Sequence, residues 1–492
     1  MKTSNTCWLY IIPALAFTPV AWSDYKADIG YTDLQNLLGA NTPTGAGVKV
    51  TQIEAGGTVY APDVTDPQFN GKTISFPGTA SVSPSGHATW VGSIFYGTNS
   101  MANGITDVTS YEANEWLSSI AYAQASAPVN GSRIANDSWV GNGNDPTQTG
   151  LISRLVDRQT QLYELVQVVG MANSPSVNPL LSSAYNVIAV GRSGGNLDYG
   201  SEAIDSVYVA GRTRPDVVSP ESTTSAATPE VAATAALLVE TGHSGALTLS
   251  KGSSTITGVG TVYNAERAET IKAALMAGAD RVTANTSSSD NITDYGSNDH
   301  LTTNGLDERF GAGQVNVLHS YQVIAAGEQN SLEDGGANAG AISLNGFDYD
   351  NAFGGALSSN NTATYKFDAT NDSKLSAALV WNIAVANDAT LRTALPNLNL
   401  ELFDVTTQTI SAFSSSTLDN TENLWVNLVT GHNYELKVKS GEATNFSWDY
   451  ALAWHINTIT INASPVPLPS AFYLFSSAIA GLALARRRKR II

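Results

Sequence analysis

Cysteine is all but missing from this 492-residue chain; the only one is Cys7. It falls within residues 1–23, where Lys2, the apolar run CWLYIIPALAFTPVAW and the small residue Ser23 follow the order of a secretory signal peptide. With that segment removed, neither a disulfide nor a thiol nucleophile is available, and any chemistry must come from other side chains. Basic residues are scarce as well: 25 Lys and Arg stand against 43 Asp and Glu. The resulting net charge of −18 argues against nucleic acid as a partner and suits an exported soluble protein. Internal repeats are absent.

What is present is enough apolar material, 42 % of residues, for two folded domains with additions at the ends. Over 24–330 strand-like and helix-like patterns alternate. GVKVTQIE (47–54), SRIANDSW (132–139) and YNVIAVGR (185–192) read as strands; the apolar spacing of 87–97, 111–125 and 265–279 predicts helices. That alternation predicts an α/β fold, a doubly wound parallel sheet with helices on both faces. From about Asn338 the pattern changes to short strands separated by Asn, Asp, Gly and Ser, which predicts an antiparallel β-sandwich over 338–460, with 328–340 as its linker.

Ligands of open α/β sheets bind beyond the carboxyl ends of the strands. Glu54, Asn173, Asp137 and Ser138 fall at such ends, while His87 and Ser225 open helices. Singly, the ordinary readings are a solvated glutamate, a turn-forming asparagine, a surface histidine and a helix-terminal serine. Trp90, Trp116 and Trp139 read as core residues. An acid, a histidine and a serine at one edge of a sheet are nevertheless the elements of an acyl-transfer triad.

The order of the motifs carries more. VTQIEAG (50–56), HATWVGS (87–93), NDSWVG (136–141), GMAN (170–173), RPDVVSP (214–220), TTSAATPEVAA (223–233) and FGAGQVNV (310–317) follow one another over roughly residues 45 to 320. This set resembles the subtilase (subtilisin-like) family of serine proteases. The resemblance implies a subtilisin-like sheet and a serine endopeptidase with no required cofactor and a polypeptide substrate. In it Ser225 is the nucleophile, His87 the general base and acid, and Glu54 the orienting acid. Asn173 supplies the oxyanion hole, and Ser138, Trp139, Val140 and Gly141 line the substrate strand. Pro229 is then expected in the first turn of the serine helix. The chain departs from the family in five places: Glu54 replaces aspartate, Thr223 and Ala88 replace glycines, Trp90 replaces a second histidine, and Glu230 replaces the histidine after the proline. The alternative is a catalytically weak or inactive subtilase-like protein that keeps the cleft to bind peptides at the cell surface or in an extracellular matrix. No spacing defines a metal site; the Asp- and Asn-rich stretch 280–308 leaves room for structural calcium but reads as a solvated loop. About 22 residues separate Ser23 from the first core strand, too few for a folded inhibitory pro-domain.

The far end, 465–492, combines VPLP, an apolar run from about Ser470 to Ala485 and five basic residues, Arg486 to Arg490. The run is short against the roughly 17–25 residues of a spanning helix, though flanking arginines can snorkel. The stretch resembles the PEP-CTERM sorting tails of bacteria in a VPLP form. That resemblance implies transient membrane contact, processing by an exosortase-type enzyme, and an exported, envelope or extracellular location.

Overall fold

The computed structural model describes residues 25–79, 81–122, 127–175, 178–194, 197–283, 292, 295, 297, 299–354, 361–441 and 447–458. The expected signal peptide and sorting tail, 1–23 and 465–492, lie outside them. Seven strands form one sheet: β1 Val50–Glu54, β2 Thr73–Ser75, β3 Asp107–Glu112, β4 Ile134–Asp137, β5 Val166–Gly170, β6 Ile188–Arg192 and β7 Val217–Ser219. Their order is β2-β3-β1-β4-β5-β6-β7, with every neighbouring pair parallel. The α/β class expected from the sequence is the class observed.

Helices cover both faces, as a parallel sheet requires. They are α1 Tyr31–Leu38, α2 Gly86–Phe95, α3 Ala113–Tyr122, α4 Pro146–Tyr163, α5 Thr224–Ser244, α6 Ala268–Gly278 and α7 Val317–Ala325. Val50, Val108 and Ile134 pack with Val231 of α5 and Leu275 of α6 on one face. Ile53, Ala135 and Val169 pack with Trp116 of α3 and Leu155 of α4 on the other. Side chains alternate along a strand, so Gln52 and Glu54 share the Val50 face, toward α2 and α5. The chain leaves β1 for that face and β4 for the opposite one. The topological switch point, where such sheets open a crevice, therefore lies beside Glu54.

Two expectations shift. The helix predicted over 111–125 begins at Ala113, because Tyr111 and Glu112 pair with Ile53 and Glu54 inside the sheet. The stretch 328–340 begins tied down: Glu328 is buried, accepts from Asn264 Nδ2 at 2.8 Å and bridges to Phe347.

Beyond it, two antiparallel four-stranded sheets stack as a sandwich. The strands are β8 Asn345–Gly354, β9 Thr362–Asp368, β10 Ser373–Val380, β11 Leu398–Asp404, β12 Thr409–Ser414, β13 Thr421–Leu428, β14 Asn433–Ser440 and β15 Ser447–Thr458. The sheet orders are β8-β15-β10-β13 and β9-β14-β11-β12. Tyr365, Trp381, Leu436 and Trp454 fill the space between them. The outer face of the first sheet is not solvated. Phe347, Tyr349, Val380, Ala451 and Ala453 join the same apolar core as α5, α6 and α7. Polar bonds border this seam: Thr213 N–H to Asp419 Oδ1 at 2.9 Å, Asn186 Nδ2 to the Ile383 carbonyl at 3.0 Å, and Asn420 Nδ2 to the Tyr185 carbonyl at 3.1 Å. Among the described residues no helix is long and apolar enough to cross a membrane.

Candidate active site

Glu54 ends β1 and is 2 % exposed. His87 is the second residue of α2, a helix started by Ser85, whose Oγ accepts from the Ala88 N–H. The two meet: His87 Nδ1 lies 2.9 Å from Glu54 Oε2. The hydrogen bond to Glu54 raises the imidazole pKa above its ordinary value; partial burial opposes this, and the Glu54 charge adds to it. The imidazole side chain is 43 % exposed, so its outer edge stays open to a reactant.

Ser225 is the second residue of α5, whose N-cap Thr223 accepts from the Ala226 N–H. Thr223 thus serves as a cap. Pro229 is not in the first turn. The helix starts at Thr224, so the proline is its sixth residue and removes the N–H that would bond the Ser225 carbonyl. Ser138 fills that gap: its Oγ donates to the Ser225 carbonyl at 3.3 Å and is held by Asn136 Nδ2 at 3.0 Å. The Ser225 hydroxyl in turn faces the Ser138 carbonyl at 3.5 Å, at the limit of a hydrogen bond. The structure therefore brings Glu54 to His87 and Ser138 to Ser225, with α2 packed on α5, and turns the Ser225 hydroxyl to Ser138 rather than to His87.

Asn173 follows β5 and accepts from the Thr224 N–H through Oδ1 at 2.9 Å. An N–H can only donate, so the amide oxygen faces the helix and Nδ2 is left to donate elsewhere. Asn173, Ser225, Ser138, Trp139 and Val140 line one cleft. Gly141 is already engaged, its N–H and C=O both bonded to Leu180, because the chain folds back there as an antiparallel bridge. The backbone open to an added strand ends before it. Trp116 is core, as expected, but Trp90 and Trp139 are only half-buried; Trp90 sits edge-on to His87 at 6.0 Å.

Three buried polar residues belong to the surroundings of the site: Gln52, which was not legible as a site feature, Asp137, which was placed only as a strand end, and Glu230, noted only as a departure in the serine motif. Gln52, fully buried, donates to Glu54 Oε1 at 3.0 Å and to the Ala88 carbonyl at 2.8 Å, and its Oε1 accepts from Tyr96 Oη at 2.5 Å. The period of two along β1 was the signal for Gln52; nothing local pointed to Tyr96. Asp137, also fully buried, accepts from Trp139 Nε1 at 3.0 Å, and burial pushes its carboxyl well above the usual range. Glu230 is buried against Ser219, and burial, then neighbouring Glu221, push it up likewise. Among the described residues no group of three or more His, Cys, Asp or Glu is arranged to hold a metal ion, and much of 280–308 lies outside them.

No protein-family model and no curated protein matches the chain. Solved structures do. The PatG macrocyclase domain is 15 % identical, with a TM-score of 0.41 over 61 % of this chain and 97 % of that one. The prenylagaramide maturation protease PagA is 15 % identical, with a TM-score of 0.39 over 59 % and 98 %. The serine protease MycP1, a component of the type VII (ESX-1) secretion system, is 14 % identical, with a TM-score of 0.33 over 60 % and 88 %. Likeness at this level concerns the course of the chain; the chemistry rests on the side chains.

Proposed function

We propose that the chain is a serine endopeptidase working through Ser225, His87 and Glu54. The observation that carries this reading is the 2.9 Å bond from Glu54 to His87 at the sheet's switch point, beside the N-terminus of the helix bearing Ser225. In the reaction the Ser225 hydroxyl rotates from the Ser138 carbonyl toward His87 Nε2, exchanging a marginal bond for a good one. It attacks the peptide carbonyl carbon while His87 takes its proton. Glu54 holds Nδ1–H and stabilises the imidazolium. The oxyanion receives Asn173 Nδ2 and the Ser225 N–H at the positive end of the helix dipole. Collapse breaks the C–N bond, His87 returns the proton to the leaving amine, and water resolves the acyl-enzyme by the same route. The substrate backbone lies along Ser138 to Val140. The ends of the chain extend the reading: export directed by 1–23, then sorting by 465–492 through an exosortase-type enzyme to a bacterial envelope or exterior.

One observation favours a second reading. With the Ser225 hydroxyl turned to Ser138, the cleft can hold peptide without cutting it. A fluorophosphonate probe separates the two. Labelling of Ser225, located by mass spectrometry and lost in Ser225→Ala and His87→Ala, is expected of the peptidase; a folded chain that takes no probe but binds peptide overturns it.

A further inference from the structure

A glutamate has one more rotatable bond than an aspartate, and a carboxylate that swings cannot hold an imidazole in one tautomer. Glu54 Oε2 is held by His87; Oε1 is held by Gln52 Nε2, at 3.0 Å. The same nitrogen donates at 2.8 Å to the carbonyl of Ala88, the residue after His87. Gln52 thus touches the acid and the helix that carries the base at once. Its orientation is determined. A backbone carbonyl only accepts, so Nε2 must face Ala88, which leaves Oε1 for the Tyr96 hydroxyl at 2.5 Å. Gln52 and Tyr96 are both fully buried, so neither bond competes with water.

We propose that Gln52, oriented by Tyr96, is the positioning residue that makes a glutamate serviceable as the acid of the Ser225–His87–Glu54 group; the inference rests on that reading of the site. The other titratable groups around the pair come from three elements. Tyr96 follows α2, and burial, then the Glu54 charge, push its hydroxyl well above the ordinary range, so it stays a donor. Asp137 on β4 is pushed up chiefly by burial and is engaged by Trp139. Glu112 on β3, next to Glu54 in register, accepts from Glu115 N–H and Asn114 Nδ2, both at 3.0 Å, and from Gly57 N–H at 3.3 Å. Each of these carboxylates has its own donors, which leaves Gln52 to Glu54.

The test uses the full chain with Gln52→Met and Tyr96→Phe. Gln52→Met removes the donor to Glu54, and Tyr96→Phe removes the contact on Gln52 Oε1 while the Ala88 carbonyl still holds Nε2. Two quantities are read: the rate of fluorophosphonate inactivation and peptide hydrolysis against pH, and the His87 titration by NMR. In Gln52→Met kcat and the inactivation rate should fall roughly 10- to 100-fold with KM unchanged. The His87 titration should fall back toward about 6.5 and carry the acid limb of the rate with it. Tyr96→Phe should move both in the same direction by less. A folded Gln52→Met with the His87 titration and rate profile of the parent overturns the inference. Should Gln52→Met not fold, Tyr96→Phe decides alone, and parental behaviour in it overturns the inference equally. If the parent takes no probe at Ser225, the peptidase reading falls, while the His87 titration still reports whether Gln52 positions Glu54.

Discussion

Helix α5 has a histidine–glutamate pair near each end. Beside its N-terminus His87 meets Glu54 at 2.9 Å; in its last turn His243 meets Glu266 at 3.0 Å. The chemistry of the two contacts is the same, and their surroundings are opposite. At the N-terminus the Ser225 N–H and the positive end of the dipole are available to an anion, and the serine stands second in the helix. At the C-terminus the negative end of the dipole stands instead, and Glu266 is committed elsewhere, accepting from Arg133 Nη1 at 2.8 Å and from the Tyr263 N–H at 3.0 Å. A histidine–carboxylate pair is therefore no signature of catalysis. The end of the helix it stands beside decides what it can do.

Four measurements would break or sharpen that contrast. The largest effect is expected from the histidines. His87→Ala should lower kcat for peptide hydrolysis by about 10⁶, while His243→Ala should leave it within a few-fold. Equal losses would mean that position along the helix does not matter. The acids come next. Glu54→Gln should cost about 10⁴ in kcat, because the amide can hold the wrong tautomer, and Glu54→Asp should keep measurable activity. Glu266→Ala should instead spare the rate and cost about 3–5 kcal/mol in urea unfolding, because it strands the buried Arg133 guanidinium.

The pH dependence should be smaller. With its pKa raised by Glu54, His87 takes up its proton at a higher pH than a free histidine. The inactivation rate should fall as pH drops through that raised value, and the limb should move to lower pH in Glu54→Gln. Stability runs the other way. The pair's contribution is complete below about 6.5 and is lost as pH rises through the folded value, so the active form is the one with the weaker pair. The smallest effect belongs to the cap. Thr223→Ala should cost about 1 kcal/mol in urea unfolding and Thr223→Gly only a few tenths, with rates changed within a few-fold.

The alternation of strand and helix patterns made the α/β class readable, and Glu54 at a strand end and His87 and Ser225 at helix openings stand where periodicity put them. What was not readable depended on distant packing. Pro229 looked like a first-turn proline because sequence does not show where a helix begins; the Thr223 cap sets that start, and Ser138, far back in the chain, takes up the carbonyl the proline frees. Gln52 read as one polar residue in a strand because its partners Tyr96 and Ala88 arrive from another element. Strands β8 and β12 do not read as strands by composition. DYDNAFG has the residues of a turn, and Ile410 and Phe413 of β12 face solvent instead of alternating into a core.

The core shared across the seam bears on how such a chain survives itself. A peptidase is surrounded by its own copies, and any copy that opens becomes food for the rest. Because Phe347, Tyr349, Val380, Ala451 and Ala453 lie in the apolar mass that also supports α5, the sandwich cannot lift away without wetting the helix that carries Ser225. The exposure of one part and the disabling of the other are then a single event, governed by one opening equilibrium instead of two. On the peptidase reading proposed above, a copy that has become cuttable has, by the same step, ceased to cut.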